Sequence, residues 1–128
     1  MKATLFEIAD YASISNTNNL NLMGIFRNIT APNLPAKHPL LFIVLRLRAE
    51  TAEVGRNADV ELTLMDQDGG RAFQHKGTLT IASRNHLYIH KIVGMEIEKY
   101  DRYSWSAFVN GVLMGTVEME IGPPAPSP

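Results

Sequence analysis

The chain of 128 residues carries 12 basic and 13 acidic side chains, a formal net charge of −1, and no cysteine. This length fits one domain that buries roughly two-thirds of its unfolded surface without disulfide bonds. The balanced charge excludes a global field that would attract nucleic acid or an anionic membrane. No segment approaches the roughly 20 apolar residues of a membrane-spanning helix. We therefore expect a soluble cytoplasmic protein with no nucleic-acid or membrane partner. The lack of cysteine is compatible with the reducing cytoplasm.

The first third of the chain alternates between strand-like and turn-like segments. Residues 2–9 predict a first strand. The Ser, Thr and Asn side chains in residues 10–19 predict a reversal, because such short polar groups bond to nearby backbone. Residues 20–29 predict a second strand, in which Gly24 marks a bulge or a close backbone approach. The prolines in residues 30–39 predict a connection that crosses between sheets.

The central element is the apolar run at residues 40–47, Leu-Leu-Phe-Ile-Val-Leu-Arg-Leu. Its length and its branched side chains predict a strand near the middle of a sheet. One face of the run is apolar throughout, whereas the other changes from apolar side chains to Arg46 and Arg48. This strand should therefore be covered on both faces at its start and reach solvent on one face at its end.

The second half of the chain predicts strands joined by tight turns. The predicted strands are residues 60–64, 71–82, 85–93, 103–109 and 112–121. Asp66-Gln67-Asp68-Gly69-Gly70 predicts a hairpin turn between the first two, because aspartates accept backbone N–H bonds and glycines adopt positive φ. Asn110-Gly111, a strong hairpin signal, joins the last two. The mixed and charged residues 95–102 predict a connection.

About eight short strands and no helical periodicity predict an all-β fold. The best fit is an antiparallel β-sandwich with Greek-key, immunoglobulin-like connections, and a closed β-barrel is the alternative. Met95-Glu96-Ile97 followed by Tyr103-Ser104-Trp105 resembles the entry into the later strands of immunoglobulin-like sandwiches. We expect one β-sandwich domain at residues 1–122 and a disordered, proline-rich tail at residues 123–128.

Two groups of residues are candidate metal ligands. Asp66-Gln67-Asp68-Gly69 resembles the start of a calcium loop, but an EF-hand frame would place Gly77 where the bidentate acid belongs. A plain hairpin turn is therefore favoured, and cation binding stays open. His86 and His90 are about 13 Å apart on one strand, too far for a shared ion. A site that adds His75 from a neighbouring strand also stays open, although solvated or core-edge histidines are the simpler interpretation, so no metal site is predicted.

The sequence contains no recognisable catalytic frame. Ser104 and Ser106 are the nearest candidates for a nucleophile. Combining either with His90 and Asp101 requires a convergence that their spacing does not support. The chain also lacks a Gly-x-Ser-x-Gly elbow and a phosphate-binding glycine loop before a helix. We therefore expect no enzymatic activity, no catalytic residue and no cofactor.

Arg46 and Arg48 could form a basic stripe on one sheet face, extended by Arg27 from another strand. The interpretation we favour is cross-strand pairing with exposed acids, which explains the same arginines without a ligand. The candidate acids are Glu61, Glu118 and Glu120.

Aromatic side chains provide further candidates for a binding surface. Trp105 shares a strand face with other apolar residues, opposite two serines, so we predict that it anchors the core. Phe108 falls on the serine face, where its ring could contact a ligand. The tentative binding surface consists of Arg46, Arg48, Phe108 and His38.

Several motifs along the chain together carry a family resemblance. They are Lys2-Ala3-Thr4-Leu5-Phe6 with Ala9-Asp10-Tyr11-Ala12, Asn21-Leu22-Met23-Gly24-Ile25-Phe26, Pro35-Ala36-Lys37-His38-Pro39, Asp66-Gln67-Asp68-Gly69, and Tyr103 with Asn110-Gly111 and Gly115. They cover nearly the whole chain and resemble a family of small bacterial proteins catalogued only as a domain of unknown function. The resemblance implies a compact bacterial β-sandwich and brings no known activity, cofactor or catalytic residue. The chain departs from the family at Asn18-Asn19, where the family tends to have a Gly-Lys turn, and in its proline tail.

Two functions of different class are compatible with these features. The missing catalytic frame and the expected sheet edges favour a non-enzymatic protein-interaction or structural module that binds a protein partner or a second copy of itself. The alternative is a small-ligand or carbohydrate-binding sandwich that uses loop residues. Those residues are Asn16, Asn18, His38 and Asp68. A concave pocket bordered by these loops or by Phe108 would favour the alternative.

Overall fold

The computed structural model describes residues 1–126, and its regular structure is almost entirely β-strand. The strands are β1 (Lys2–Ile14), β2 (Leu20–Ile25), β3 (Asn28–Thr30), β4 (Ala36–Arg48), β5 (Asn57–Asp66), β6 (Arg71–Thr80), β7 (Asn85–Ile97), β8 (Asp101–Val109) and β9 (Val112–Gly122). One 3-10 turn, Thr51–Glu53, follows β4. Residues 123–126 are exposed and belong to no strand, and the last two positions of the expected tail lie outside the described residues.

The strands form two separate sheets, which confirms the all-β class. Sheet A has four strands in the order β2-β1-β4-β7, and sheet B has five in the order β3-β9-β8-β5-β6. Neighbouring strands are antiparallel except β3 and β9, which run parallel. A closed barrel would need one continuous sheet, whereas these strands divide between two. No helix within residues 1–126 has the length and apolar character needed to cross a membrane.

The main core lies between the two sheets, and β4 crosses its centre. Leu41, Ile43 and Leu45 are fully buried and belong to one apolar cluster with residues of sheet B. Trp105 on β8 is fully buried in the same cluster, which confirms its predicted role as a core anchor. The predicted burial of β4 is confirmed too, because its outer face changes from fully buried Val44 to two exposed arginines.

The boundaries of the first predicted strands are wrong. β1 runs to Ile14, because residues 11–14 find hydrogen-bonding partners on β2. The predicted second strand divides in two, with β2 ending at Ile25 and β3 joining sheet B beside β9. Gly24 has a φ of +69°, and the side chain of Asp10 fills the space that a Cβ would need there. Gly24 is thus closely approached, but by the side chain of Asp10 rather than by backbone as predicted.

Two predicted connections are shorter than expected. β4 begins at Ala36, inside the predicted crossover, because its first residues pair with β7. β1 pairs with β4 only as far as Phe42, so Pro39 lies where β4 has a single neighbour and a missing N–H is tolerated. The same ladder extends β7 to Ile97, which shortens the predicted connection at residues 95–102.

Both predicted hairpin turns of the second half are confirmed. Asp66 Oδ1 accepts hydrogen bonds from the N–H groups of Asp68 at 2.9 Å and Gly70 at 2.8 Å. Asn110 and Gly111 join β8 to β9 with φ of +50° and +77°. Positive φ at both positions matches the right-handed twist of the flanking strands.

A second, smaller core lies on the outer face of sheet A. Phe42 and Val44 point away from the main core, and Leu20 and Leu22 of β2 pack against them. The β1–β2 hairpin therefore curls back over the outer face of its own sheet. This curl places the hairpin tip, residues 15–19, near the arginine end of β4.

Candidate functional site

The structure separates the four predicted binding residues into three places. Arg46 and Arg48 are exposed at the end of β4 on the outer face of sheet A. His38 lies near the opposite end of β4, and Phe108 is half-buried on the outer face of sheet B. Only the two arginines are neighbours, so the predicted surface is not continuous.

The two arginines line a polar cleft between the hairpin tip and the end of β4. The cleft has a volume of about 490 Å³. Its lining residues are Thr4, Asn18, Asn19, Leu20, Arg46, Arg48, Asn85 and Leu87, and we refer to them together as the arginine cleft. The cleft exists because the apolar side of the hairpin packs on sheet A and brings the hairpin tip beside the arginines.

Arg46 is held in position by Thr4. The Arg46 Nε donates a hydrogen bond to Thr4 Oγ1 at 2.9 Å, and Thr4 Oγ1 donates one to the backbone oxygen of Arg46 at 3.3 Å. Thr4 can reach both groups because the register of β1 shifts between Ala3 and Leu5, as in a β-bulge. The contact uses only the inner nitrogen of the guanidinium, which leaves its terminal N–H groups for a ligand.

The positive charge of the cleft is not balanced by a nearby carboxylate. Within residues 1–126, neither Arg46 nor Arg48 forms an ion pair. Lys2 lies directly opposite Arg48 across the β1–β4 ladder. Like charges in directly opposite positions repel each other, so this end of sheet A favours an anion.

The predicted pairing of these arginines with exposed acids is wrong. The candidate acids all lie in sheet B, with Glu61 on β5 and Glu118 and Glu120 on β9. The two arginines are on the outer face of sheet A. Arg27 does not extend the stripe either, because its guanidinium pairs with Glu7. Sequence alone does not show how strands divide between sheets, and here the arginines and the candidate acids belong to different sheets.

The hairpin tip presents its asparagines on a closely bonded turn. The N–H of Asn19 donates to Ser15 Oγ at 3.1 Å, and Asn19 Nδ2 donates to Thr17 Oγ1 at 3.2 Å. Asn18 adopts a φ of +62°, a conformation that asparagine tolerates. Of the four loop residues that the sequence suggested for ligand binding, only Asn18 lines the arginine cleft.

Phe108 and His38 lie in less favourable surroundings. Phe108 borders an open groove of about 370 Å³ that Asp59, Glu61 and Lys76 also line, with no second aromatic ring for stacking. His38 Nε2 is buried without a hydrogen-bond partner in the described part of the chain, and its ring lies 5.8 Å from that of Phe26. Neither position combines unpaired charge with converging donors as the arginine cleft does.

The aspartates of the predicted hairpin turn converge on a lysine. Lys99 Nζ lies 3.0 Å from Asp66 Oδ2, 3.6 Å from Asp68 Oδ2 and 3.5 Å from Asp101 Oδ2. The hydrogen bond from Lys99 holds the pKa of Asp66 below its ordinary value, and the turn N–H groups add to that effect. The same contacts raise the pKa of Lys99. The lysine thus supplies the positive charge that a cation would otherwise bring.

The histidines do not converge as metal ligands. His75 and His90 meet as stacked rings with centroids 3.8 Å apart. Ring nitrogens bind metals in the plane of the ring, so two stacked imidazoles do not point at a common ion. Among residues 1–126, the one group of three or more side chains placed to hold a metal is Asp66, Asp68 and Asp101.

The candidate catalytic residues do not converge either. Ser104 and Ser106 face outward from sheet B, whereas His90 faces the core side of β7.

Comparison with known proteins agrees with the resemblance carried by the motifs. No curated protein matches the chain. A family model described as a family of unknown function (DUF6941) matches residues 4–122. The match includes every strand from β2 to β9 and most of β1. It also covers the cleft residues Thr4, Asn18, Arg46, Arg48 and Asn85, and Asp66 and Lys99 of the lysine–aspartate cluster. Because the match extends over most of the sequence, the chain belongs to this family of unknown function.

Proposed function

We propose that this protein is a non-enzymatic binding module that holds the phosphate or carboxylate group of a small ligand in the arginine cleft. The observation that carries the proposal is the convergence of Arg46 and Arg48, neither of them ion-paired within the described residues, with asparagine amide groups in one cleft. The planar guanidinium group matches carboxylate and phosphate oxygens in a two-pronged geometry. The contact with Thr4 supports the proposal because it fixes Arg46 before a ligand arrives.

The size and lining of the cleft are compatible with a small polar ligand. Its volume of about 490 Å³ lies in the ordinary range for small-molecule sites. Asn18, Asn19 and Asn85 each bring an amide that can donate or accept a hydrogen bond. Leu20 and Leu87 add the only apolar surface. A ligand with a charged group and several hydroxyl or amide groups would match this lining.

The same lining supports a binding role over a catalytic one. The cleft residues include no histidine, carboxylate or thiol, so no lining side chain can act as a general base near neutral pH. The one hydroxyl, that of Thr4, is engaged with Arg46. An arginine pair without a base can hold an anion but offers no route for moving a proton.

The test is anion binding by isothermal titration calorimetry, with pyrophosphate and citrate as separate probes for the two anion types. We expect binding that weakens with added salt. Arg46→Gln and Arg48→Gln should each raise the Kd about tenfold or more, since a charge-assisted hydrogen bond contributes about 1.5–3 kcal/mol. Arg102→Gln, an exposed arginine on sheet B, is the matched control and should bind as the wild type does. Absence of binding by both probes, or an equal loss in the Arg102 variant, would contradict the proposal.

A second candidate function, self-association, is favoured by an apolar patch at the edge of sheet A. β2 is an edge strand, and Met23 and Ile25 on it are 66% and 53% exposed. Tyr11, opposite Met23 on β1, is 49% exposed. Two copies could join these edges around a two-fold axis and bury the apolar patches against each other.

Sedimentation equilibrium separates this second candidate from the first. A concentration-dependent dimer is expected for the wild type, and Met23→Glu should abolish it by placing like charges across the contact. Val112→Glu, at an equally exposed apolar position in the β8–β9 turn region, should leave the dimer intact. A wild type that stays monomeric at every concentration would remove the self-association candidate and leave the arginine cleft unaffected.

The proposal extends to the finer architecture, an immunoglobulin-like Greek-key sandwich. Its support is the strand order, with β3 parallel to β9 at the edge of sheet B, and a hydrogen bond from Tyr103 Oη to the backbone oxygen of Lys99 at 2.8 Å. That bond resembles the tyrosine corner of such folds, where a tyrosine near the start of a late strand bonds to backbone a few residues upstream. The bacterial, cytoplasmic setting expected from the sequence stays a prediction.

A further inference from the structure

Sheets A and B approach each other along β6 and β7, and side chains alone close the gap there. β6 is the last strand of sheet B and β7 the last strand of sheet A, so no ladder joins them. His90 lies opposite core residue Ile43 on β4, and His75 lies opposite core residue Leu62 on β5. Both histidines therefore occupy core-facing positions at the open side of the fold.

The rings in this gap are stacked. The His75 and His90 centroids are 3.8 Å apart with an interplanar angle of 20°. The ring of Tyr88 is parallel to that of His90 within 2°, at a centroid distance of 6.4 Å. A Cβ at Gly77 would lie 3.3 Å from His75 Nε2, so the missing side chain gives the His75 ring its space. We refer to His75, Tyr88 and His90 as the histidine seam.

The surroundings of the seam offer no charge to neutralise an imidazolium pair. On β6 the core-facing neighbours of His75 are Phe73 and Gly77, and on β4 and β5 the opposite residues are aliphatic. On β7 the core-facing neighbours of His90 are Tyr88 and Ile92. No described carboxylate forms an ion pair with either histidine. Two neutral imidazoles can stack in this place, whereas two protonated ones would repel each other with little compensation.

We propose that the histidine seam is a pH-operated latch between the two sheets. With neutral imidazoles the stack closes the gap between β6 and β7. Protonation of His75 and His90 drives the two strands apart and exposes the edge of the core at Phe73, whose ring packs edge-on against Trp105 at 5.6 Å. The seam occupies the core face of β7, whereas Asn85 and Leu87 of the same strand line the arginine cleft. The latch proposal does not depend on the function proposed for that cleft.

The direction of the pH response follows from the surroundings of His90. Burial lowers the pKa of His90, and the nearby His75 lowers it further. Burial also lowers the pKa of His86, whose Nδ1 accepts a hydrogen bond from the N–H of Ala82. The open state therefore binds protons at a higher pH than the closed state. The closed state therefore keeps its full stability above about pH 6.5, the ordinary histidine pKa, and loses stability progressively as the pH falls below that value.

Amide hydrogen exchange tests the latch, measured at about pH 7.5 and about pH 5.5, on either side of the ordinary histidine pKa, and corrected for intrinsic rates. Protection of β6 and β7 should fall at the lower pH, by up to about tenfold for each proton that is taken up only on opening, since pH 5.5 is about one unit below the ordinary histidine pKa. β8 and β9 should keep their protection. Unchanged protection in β6, or an equal loss in every strand, would overturn the proposal.

Variants make the test specific to the stacked pair. His75→Phe keeps a stacking ring but removes the repulsion between two imidazolium groups, so the pH-dependent loss in β6 should become smaller, and only the part that comes from the burial of His90 should remain. His90→Phe should behave in the same way, and it serves as the second variant if the first does not fold. His38→Gln removes a histidine far from the seam and should leave the wild-type response intact. A response of undiminished size in both Phe variants would show that the seam does not operate as a latch.

Discussion

Two lateral seams join sheets A and B, and they are closed by different chemistry. At the β1–β9 seam, the ring of Phe6 lies 3.4 Å from the point where Gly115 would carry a Cβ, which is ordinary apolar contact. At the β6–β7 seam, the contact is the stack of His75 on His90. Apolar contact does not depend on protonation, whereas an imidazole stack does. If the histidine seam opens as proposed, the first seam acts as a fixed hinge and the second is the side that opens.

The difference originates in the core-facing positions of the edge strands. In β6 these positions are Phe73, His75, Gly77 and Leu79, and in β7 they are His86, Tyr88, His90 and Ile92. Each set contains one aliphatic residue, Leu79 in β6 and Ile92 in β7, so neither strand can close its side of the fold with aliphatic groups. Central strands such as β4 carry only apolar residues at the equivalent positions over residues 41–47.

Removing the ring at the apolar seam should have the largest effect. Phe6→Ala removes a half-buried ring that packs on the main core and on Gly115. We expect a loss of about 2 kcal/mol in the free energy of unfolding, below the 3–5 kcal/mol typical of fully buried phenylalanine. Urea unfolding at about pH 7.5 and about pH 5.5 should give the same loss, because the side chain of Phe6 carries no ionisable group.

The control for this prediction is Phe108→Ala. Phe108 is also half-buried but lies on the outer face of sheet B, away from both seams. Its removal should cost less than the removal of Phe6. A loss for Phe6→Ala that changes strongly with pH would contradict the view of this seam as a fixed hinge.

The central strands could be predicted because local pattern and tertiary environment agree there. The apolar run of β4, the alternation around Trp105 and the Asn110-Gly111 turn each specify a structure within a few residues. The end of β1 could not be predicted in the same way. Its last residues run into a segment rich in serine and asparagine that predicts a turn, and they are recognisable as strand only from their hydrogen-bonding partners on β2.

The arginine cleft was only partly predictable for a similar reason. Arg46 and Arg48 were identified from the change of polarity along one strand. Thr4 and Asn85 were missed, because they join the arginines only after the hairpin curls over sheet A. The curl depends on contacts such as Leu22 with Phe42, which no local pattern encodes. Lys99 was missed because its partners meet it at a corner between strands.

Lys99→Met should separate the loss of fold stability in acid that comes from the aspartate cluster from the pH response of the histidine seam. The lowered pKa of Asp66 stabilises the fold above its ordinary value of 3.8, and that contribution is lost as the pH falls through the lowered pKa. Without Lys99, three carboxylates within 4.8 Å of one another repel, so stability at neutral pH should decrease. Protonation then relieves the repulsion, and the loss of stability on acidification should become shallower.

The measurement is the midpoint of thermal unfolding as a function of pH for the wild type and this variant. The two curves should differ at neutral pH and converge in strong acid. The pH-dependent amide exchange of β6 near the histidine pKa should be the same in both proteins. Lys91→Met, an exposed lysine on β7, is the control and should follow the wild type. A Lys99 variant with an unchanged acid limb would show that the aspartate cluster contributes nothing to acid stability.

Gly77→Ala should have the smallest effect on stability and the most specific effect on the seam. A methyl group at this position would lie 3.3 Å from His75 Nε2, so the imidazole must move by a few tenths of an ångström. The shift loosens the stack on His90 without removing either ring. Because His75 contributes to the lowered pKa of His90, that pKa should move towards the ordinary histidine value. A histidine titration followed by NMR measures this directly. Gly122→Ala, where a Cβ would meet nothing within 4 Å, is the matched control and should leave the His90 titration unchanged. If Gly77→Ala also leaves it unchanged, the two rings are not coupled through their stack, and the contrast between the two seams loses its chemical basis.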